Sequence, residues 1–485
     1  MTGDQRWEDY IPDPRRWQVL WVLVVVLFMS LMSVSSINVA LPTIELGLHA
    51  TQSELQWVLS GYALTFGIGL VAAGRAGDIY GRAPLFIAGV AVFTLSSVWA
   101  GLAPDPLQLN LARAVMGVGS GLAGPQAVGM IQQYFRGAER GRAFGIFGSV
   151  VGVSVSIGPL LGGVLIEAGG TQTGWRWTFF VNLPIGILAI VLAALWIPRP
   201  LLNSHREPEP GQIPPSRDLD PIGSVLLGLA VLAVMVPFLE SGASPFVWFA
   251  LPAGVGILLV WIWWENRYKD SGREPMVDMQ IFRVTSFANG TLLVSLYFLG
   301  VTSVWILVAL YMQDGLHHTA LESGLVGLPS SILSAIAALW AGRSVAKLGR
   351  KVVIGGLYCA LVGLVLSILV VWLHSIGAAS EWWLLLSLSF VGIAQGAVIS
   401  PNQALTLAEV PLPYAGSSGG VMQTGQRIGT SVGIAVITAL SFGVLAVSNW
   451  SVAFNAGFAV IIIVVAIALV VAYRDLRQRH GNAWL

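Results

Sequence analysis

Long apolar runs of roughly twenty residues recur along this chain, separated by short polar breaks. Runs of this length match the hydrocarbon thickness of a bilayer, where each backbone N–H and C=O must be satisfied within the segment. The pattern predicts fourteen spans, near 18–43, 54–74, 84–103, 107–132, 143–167, 177–197, 219–240, 246–265, 286–312, 321–342, 352–373, 382–407, 420–446 and 452–473. The first run is too long for a signal-peptide core and reads as a retained span.

Two longer polar stretches, 198–218 and 265–283, break the rhythm, and the first is rich in proline and charge, as a linker is. The expected organisation is a cytoplasmic N-terminus (1–17), a six-helix bundle (18–197), a linker (198–218), a two-helix insert (219–265), a second linker (266–285), a second six-helix bundle (286–473) and a cytoplasmic tail (474–485). The fold class is therefore an all-α polytopic membrane protein.

Charge tests this partition independently, because loops on the cytoplasmic side retain Lys and Arg. With the N-terminus inside, 22 of the 25 basic residues fall in inside loops, among them Arg6, Arg199, Arg206 and Arg217. Arg113 and Arg427 lie within spans, which leaves Arg176 alone outside. Adding or dropping one early span inverts every later loop, so a cell membrane location with both termini inside is expected.

Composition narrows the function. Hydrophobic residues make up 55% of the chain and charged ones 10%, against roughly a quarter charged in soluble domains. A net charge of +1 argues against a nucleic-acid partner. Cys359 is the sole cysteine and sits in an apolar run, which excludes an intrachain disulfide. His317 and His318 with Asp314 make a poor chelate, so no metal and no cofactor is expected.

The segment GRAGDIYGR (74–82) returns in outline as GRSVAKLGR (342–350), each just after the second span of its six-helix block. Gly74 and Gly81, and in the second copy Gly342 and Gly349, are expected to permit a tight turn. Matched turns in matched halves point to the internal duplication that transporters use.

On these residues the sequence resembles the major facilitator superfamily, and within it the fourteen-span drug:proton antiporters. Gly74, Gly77, Asp78, Gly81 and Arg82 match the loop signature between spans two and three. Leu109, Arg113, Gly117 and Gly119 fit the fourth-span signature, and INVALPTI (37–44) resembles the end of the first span. Gly145, Gly158, Pro159, Gly162 and Gly163 fit the fifth-span antiporter signature, with Ser154 in place of a glycine. The resemblance implies a conformational latch at Asp78 with its partner copy ending at Arg350, a hinge or sliding interface along the fifth span, and a role for Arg113 in the central cavity.

An ionisable group at membrane depth costs about 2.5–3.5 kcal/mol, so Arg113 and Arg427 are candidate functional charges; Arg427 could equally snorkel to the cytoplasm. No Asp or Glu lies mid-span, and Ser33 stands where the resembled family usually has a first-span aspartate. Proton coupling is then left to Asp78 or Glu167, or the protein couples to another ion or acts as a facilitator. The resemblance places a cavity between the halves, for which the candidates are Ser33, Ser36, Asn38, Trp57, Tyr62, Gln126, Tyr297, Trp305, Gln395, Asn402, Gln403, Gln423 and Gln426. Amides, hydroxyls and aromatic faces with little fixed negative charge suit a neutral or amphipathic molecule; many of the same groups could instead join helices.

The sequence thus reads as a secondary transporter, exporting drugs or other hydrophobic compounds by alternating access. The alternatives are an exporter or facilitator of an endogenous metabolite or lipid, and a non-transporting receptor or scaffold. No catalytic set lies at depth and no phosphate-binding loop is present, so neither an enzyme nor an ATP-driven pump is expected. The expected partners are a small-molecule substrate, protons and the bilayer, with the protein acting as a monomer.

Overall fold

A computed structural model of the chain describes residues 13–170, 172–198, 218–239 and 245–482. Among the described residues the regular structure is helical: α1 (Arg16–Leu48), α2 (Gln52–Tyr80), α3 (Arg82–Leu102), α4 (Pro106–Tyr134), α5 (Gly137–Gly169), α6 (Gly174–Phe180), α7 (Asn182–Trp196), α8 (Pro221–Leu239), α9 (Ala250–Asp270), α10 (Thr285–Leu310), α11 (Ala320–Leu348), α12 (Arg350–Ser375), α13 (Leu384–Thr406), α14 (Ala415–Leu445) and α15 (Trp450–Asn482). Fourteen segments are long and apolar enough to cross a membrane, with α6 and α7 sharing one of them. The linker over 199–217, with Arg199, Arg206 and Arg217, lies outside the described residues, as do Arg6 and Glu240.

Several helices outrun the apolar stretches that announced them. Hydropathy marks only the hydrocarbon layer, while the i→i−4 ladder continues into water until a residue stops it. For α2 that residue is Gly81, at φ 108°, and for α11 it is Gly349, at φ 53°. Gly74 and Gly342, expected in turns, are instead inside these helices. Each of the two helices also starts with the same reciprocal cap: Thr51 accepts from the Glu54 N–H and Thr319 from the Glu322 N–H, while both glutamates reach back to the threonine N–H. A capping box of this kind satisfies two orphan donors at once.

Packing repeats between the halves. In the N-terminal bundle α2 packs on α4, α3 on α4, and α1 on α5; in the C-terminal bundle α11 packs on α13, α12 on α13, and α10 on α14. Two large cores result: one around Met29, Phe86 and Phe144, which runs on through Met235 of α8 to Phe287 of α10 and Met422 of α14, and one around Tyr297, Phe454 and Phe458. The halves meet along two seams, α2 with α14 and α5 with α11. Helices α8 and α9 pack on each other, and α8 lies against both α2 and α14 at the first seam. Met235 there fills the space over Gly67.

Candidate functional site

The first seam closes at the face where α1 begins and α15 ends. Helix α14 starts there with N–H groups that lack an intrahelical acceptor, a place that favours an anion. Asp78, near the end of α2, supplies it. Its Oδ1 accepts from the Gly416 N–H at 2.9 Å, and its Oδ2 accepts from the Ser417 N–H at 2.9 Å. Arg82 donates through Nη2 to Asp78 Oδ1 at 2.8 Å and to the Leu412 carbonyl at 2.7 Å, so it binds both that carboxylate and the segment leading into α14. Gln132 on α4 donates to the Ala415 carbonyl at 3.2 Å. The carboxylate is almost wholly buried, at 1% side-chain exposure, which is tolerable because two backbone N–H groups and the Arg82 guanidinium donate to it.

Glycines make the approach possible. A Cβ on Gly74 would collide with the Gly416 carbonyl, and one on Gly416 would lie 2.8 Å from Asp78 Oδ1. Gly77 has the Gln126 amide in the place of a Cβ, and that amide donates to the Ala73 carbonyl at 2.7 Å. The second seam follows the same rule. A Cβ on Gly342 would lie 2.5 Å from the Gly141 carbonyl oxygen and 2.6 Å from Gly145 Cα. Gly148 and Gly152 continue this contact towards Ser400 and Ser331.

Helix α5 then changes partner. Gly158 faces Ser35 and Gly162 faces Ser36 on α1, whereas Gly163 looks into open space. Ser154 bonds its own helix at the Val150 carbonyl, and its carbonyl accepts from Ser35 at 3.3 Å. Pro159 lies within this uninterrupted helix and removes the bond to the Val155 carbonyl. One face of α5 therefore carries the seam between halves, and another holds it in its own bundle.

The second copy of the repeated motif is wired differently. Ala346 stands in register with Asp78, so no carboxylate reaches α5 from this motif. Arg350, fully buried, donates through Nε to Asp475 on α15 at 2.6 Å and also to Asn402, whose amide donates to the Gly290 carbonyl at 2.9 Å. Across the seam Arg140 donates to the Leu407 and Ala408 carbonyls, each at 3.4 Å.

Deeper in the membrane the two span arginines end a common stack. Tyr62 and Phe66 lie one helical turn apart on α2 with their rings parallel to within 5° and 6.1 Å between centroids. The Arg113 guanidinium sits over Tyr62 at 4.4 Å, and the Arg427 guanidinium sits over Phe66 at 4.4 Å. Arg113 Nε donates to the Val58 carbonyl at 3.0 Å. The Tyr62 hydroxyl donates to Ser120 at 2.8 Å and meets Ser30 at 3.1 Å. Arg427 lies some 12 residues into α14, about 18 Å along its axis, far from the snorkelling position its sequence also allowed.

The other cavity candidates scatter. Ser33 is buried against Asn182 inside the N-terminal bundle, and Ser36 bonds the Ser33 carbonyl. Gln126 and Asn402 join helices, as described, and the buried Tyr297 packs against Phe298. Trp305 lies over Gly327. Asn38 and Trp57 are exposed; Gln395, Gln423 and Gln426 are half-buried; Gln403 is buried. Of these, Gln423 faces Gly124 across the halves, its Oε1 3.0 Å from where a Cβ on that glycine would lie.

The family model of the Major Facilitator Superfamily matches residues 23–434. The chain belongs to this superfamily. The probable actinorhodin transporter of Streptomyces coelicolor is 32% identical over 438 residues, which are 90% of this chain and 74% of that protein. The puromycin resistance protein pur8 of Streptomyces alboniger is 31% identical over 444 residues, 90% of this chain and 84% of that one. The structure of the proton:xylose symporter XylE superposes with a TM-score of 0.66 at 15% identity, covering 95% of each chain, a likeness of fold. This member of the superfamily is a multi-pass membrane transporter and not an enzyme.

Three features of the transporter escaped the sequence reading. Phe66 is an apolar residue in an apolar span, and only its stacking distinguishes it. Ser120 was hidden among small residues of α4. The paired caps did leave a signal: T-x-x-E begins 23 residues before the first motif glycine in both copies, 51 to 74 and 319 to 342.

Proposed function

We propose that the protein exports hydrophobic or amphipathic small molecules by alternating access, with the face bearing both termini in the cytoplasm. The observation that carries this is the latch: a carboxylate on the N-terminal half holding the first turn of a helix of the C-terminal half, beside seams of glycine. A contact of that kind is made in one state of a rocking cycle and broken in the other. The basic residues gathered on the latch face support the orientation. Relatives that bear the names of an actinorhodin transporter and a puromycin resistance protein support export of antibiotic-like compounds. The proposed working units are the two six-helix bundles, residues 18–197 and 286–473, with the insert over 219–265.

Coupling to protons is proposed to run through Asp78. Its carboxylate accepts from two backbone N–H groups and Arg82, and a proton on it would cancel the attraction that keeps the seam shut. Glu167 is the second carboxylate available for the task. Proteoliposomes test the whole reading: puromycin and a hydrophobic dye are loaded, a pH gradient is imposed in each direction, and flux is compared with empty liposomes. Flux equal to that of empty liposomes for every probe refutes export, and flux indifferent to the gradient refutes proton coupling.

A further inference from the structure

Two carboxylates are buried against each other between α8 and α9. Asp220, just ahead of α8, is 0% exposed, and Glu265, near the end of α9, is 1% exposed. Asp220 takes the left-handed φ of 44° and is well served: its Oδ1 accepts from the Gly223 N–H at 2.9 Å, and the Trp264 indole donates to both of its oxygens, at 3.0 and 3.1 Å. Glu265 is served on one side only. Its Oε2 accepts from the Val277 N–H at 3.3 Å, while Oε1 has no hydrogen-bond partner among the described residues. The Trp261 indole, one turn back on the same face of α9, is buried as well, and its N–H makes no hydrogen bond there. The open oxygen lies beside the other acid. A Cβ on Gly223 would collide with Asp220 Oδ2 and lie 2.8 Å from Glu265 Oε1, which places the two oxygens within about 5 Å of each other, a range in which like charges disfavour one another. Glycine at 223 leaves this space to the two acids. The charged groups around them are engaged elsewhere: Asp218 accepts from Tyr268, Lys269 donates to Asp278 at 2.7 Å, Arg75 on α2 donates to Glu274 at 2.7 Å, and Arg273 and Arg267 lie over the Tyr268 and Trp263 rings. Tyr414, ahead of α14, completes the titratable set on this side.

We propose that Asp220 and Glu265 hold one exchangeable proton between them, carried on Glu265 Oε1, and that this proton sets how firmly the loop between α9 and α10 grips α2 beside Asp78. With the proton in place the like charge is gone, and Oε1 becomes a donor facing Asp220. When the proton leaves to water, two buried anions face each other without a cation. The repulsion reaches the loop directly, because Glu265 holds Val277, and Glu274, three residues earlier, holds Arg75. Arg75 stands three residues before Asp78 on the last turns of α2. The grip is therefore full while the proton is held and weakens as rising pH removes it. This site is separate from the proton proposed at Asp78, and opposite in sense: acid loosens the seam there, alkali here.

The full-length protein in nanodiscs is followed from about pH 6 to about pH 9 by infrared difference spectroscopy and by hydrogen exchange of residues 271–283, corrected for the intrinsic pH dependence of exchange. A protonated-carboxyl band is expected at about pH 7 that is missing in Glu265→Gln. Protection of the loop should fall at least about tenfold across the range in the parent and less than about twofold in Glu265→Gln, whose amide imitates the protonated acid. Asp220→Asn still caps α8 and removes the repelling charge, so its loop should also change less than about threefold. With spin labels at the exposed Ala138 and Lys351, and Cys359 replaced by serine, the population with the halves closed on this face should drop at the alkaline end in the parent and hold in Glu265→Gln. The same band in Glu265→Gln as in the parent, loop protection that ignores pH in the parent, or a parent-like fall in Glu265→Gln overturns the proposal. Saturable loss of the band on adding sodium at fixed pH makes this an alkali-cation site and overturns it too. A closed population indifferent to alkaline pH overturns the link to α2. None of these readouts involves flux, so this inference and the export reading fail separately.

Discussion

Replacing Asp78 by Asn keeps the size of the latch side chain and removes its charge. The native carboxylate accepts from the Gly416 and Ser417 N–H groups and from Arg82, and the amide can accept at one oxygen only. A hydrogen bond to a charged group contributes about 1.5–3 kcal/mol and a neutral one about 0.5–1.5 kcal/mol. Loss of the charge at the start of α14 removes about 0.5–1 kcal/mol more. Together these lower the stability of the closed seam by about 2–3 kcal/mol, a factor of roughly 30 to 150 in the equilibrium between states. A transporter held 99:1 in the closed form would fall to roughly 3:1 or below. Spin labels at Ala138, at the start of α5, and Lys351, at the start of α12, are both exposed on this face and read the separation of the halves by double electron–electron resonance. The sole cysteine, Cys359, is first changed to serine. A longer-distance population should appear in the variant and be rare in the parent. Superimposable distance distributions would refute the latch.

Gly342→Val should open the second seam for a steric reason, since its side chain would enter the space taken by Gly141 and Gly145; the same labels report it, and an unchanged distribution counts against a sliding glycine interface. Arg350→Leu leaves Asp475 buried without its cation and should cost about 3–5 kcal/mol, seen as a fall in melting temperature, whereas the double variant Arg350→Leu with Asp475→Leu should recover most of it. A double variant as unstable as the single one contradicts that account. Asp218 is held below the usual carboxylate range chiefly because the Tyr268 hydroxyl donates to it. A depressed folded value means stability present above about pH 4 and lost as the pH falls through the lower folded value. Tyr268→Phe should remove this acid sensitivity; identical melting-temperature profiles between pH 5 and pH 3 would dismiss the link.

The number of spans was legible without coordinates, because a lipid solvent demands runs of a set length. The duplicated motif and its Asp78 were legible too, as short strings with a fixed spacing. What the string could not contain was partnership. Gly74 reads as a turn former, and only the tertiary fold shows it in mid-helix against Gly416, since the limit of a helix is set by its hydrogen bonds and not by hydropathy. Arg350 resembles Arg82 in sequence, yet its carboxylate sits 125 positions away on α15. The stack of Arg113, Tyr62, Phe66 and Arg427 draws on three helices from two halves, and no local pattern encodes which face each helix turns to another. Lipid chemistry acts on every residue alike and so writes itself into the sequence, whereas a site is a matter of side-chain directions in space, which packing alone decides.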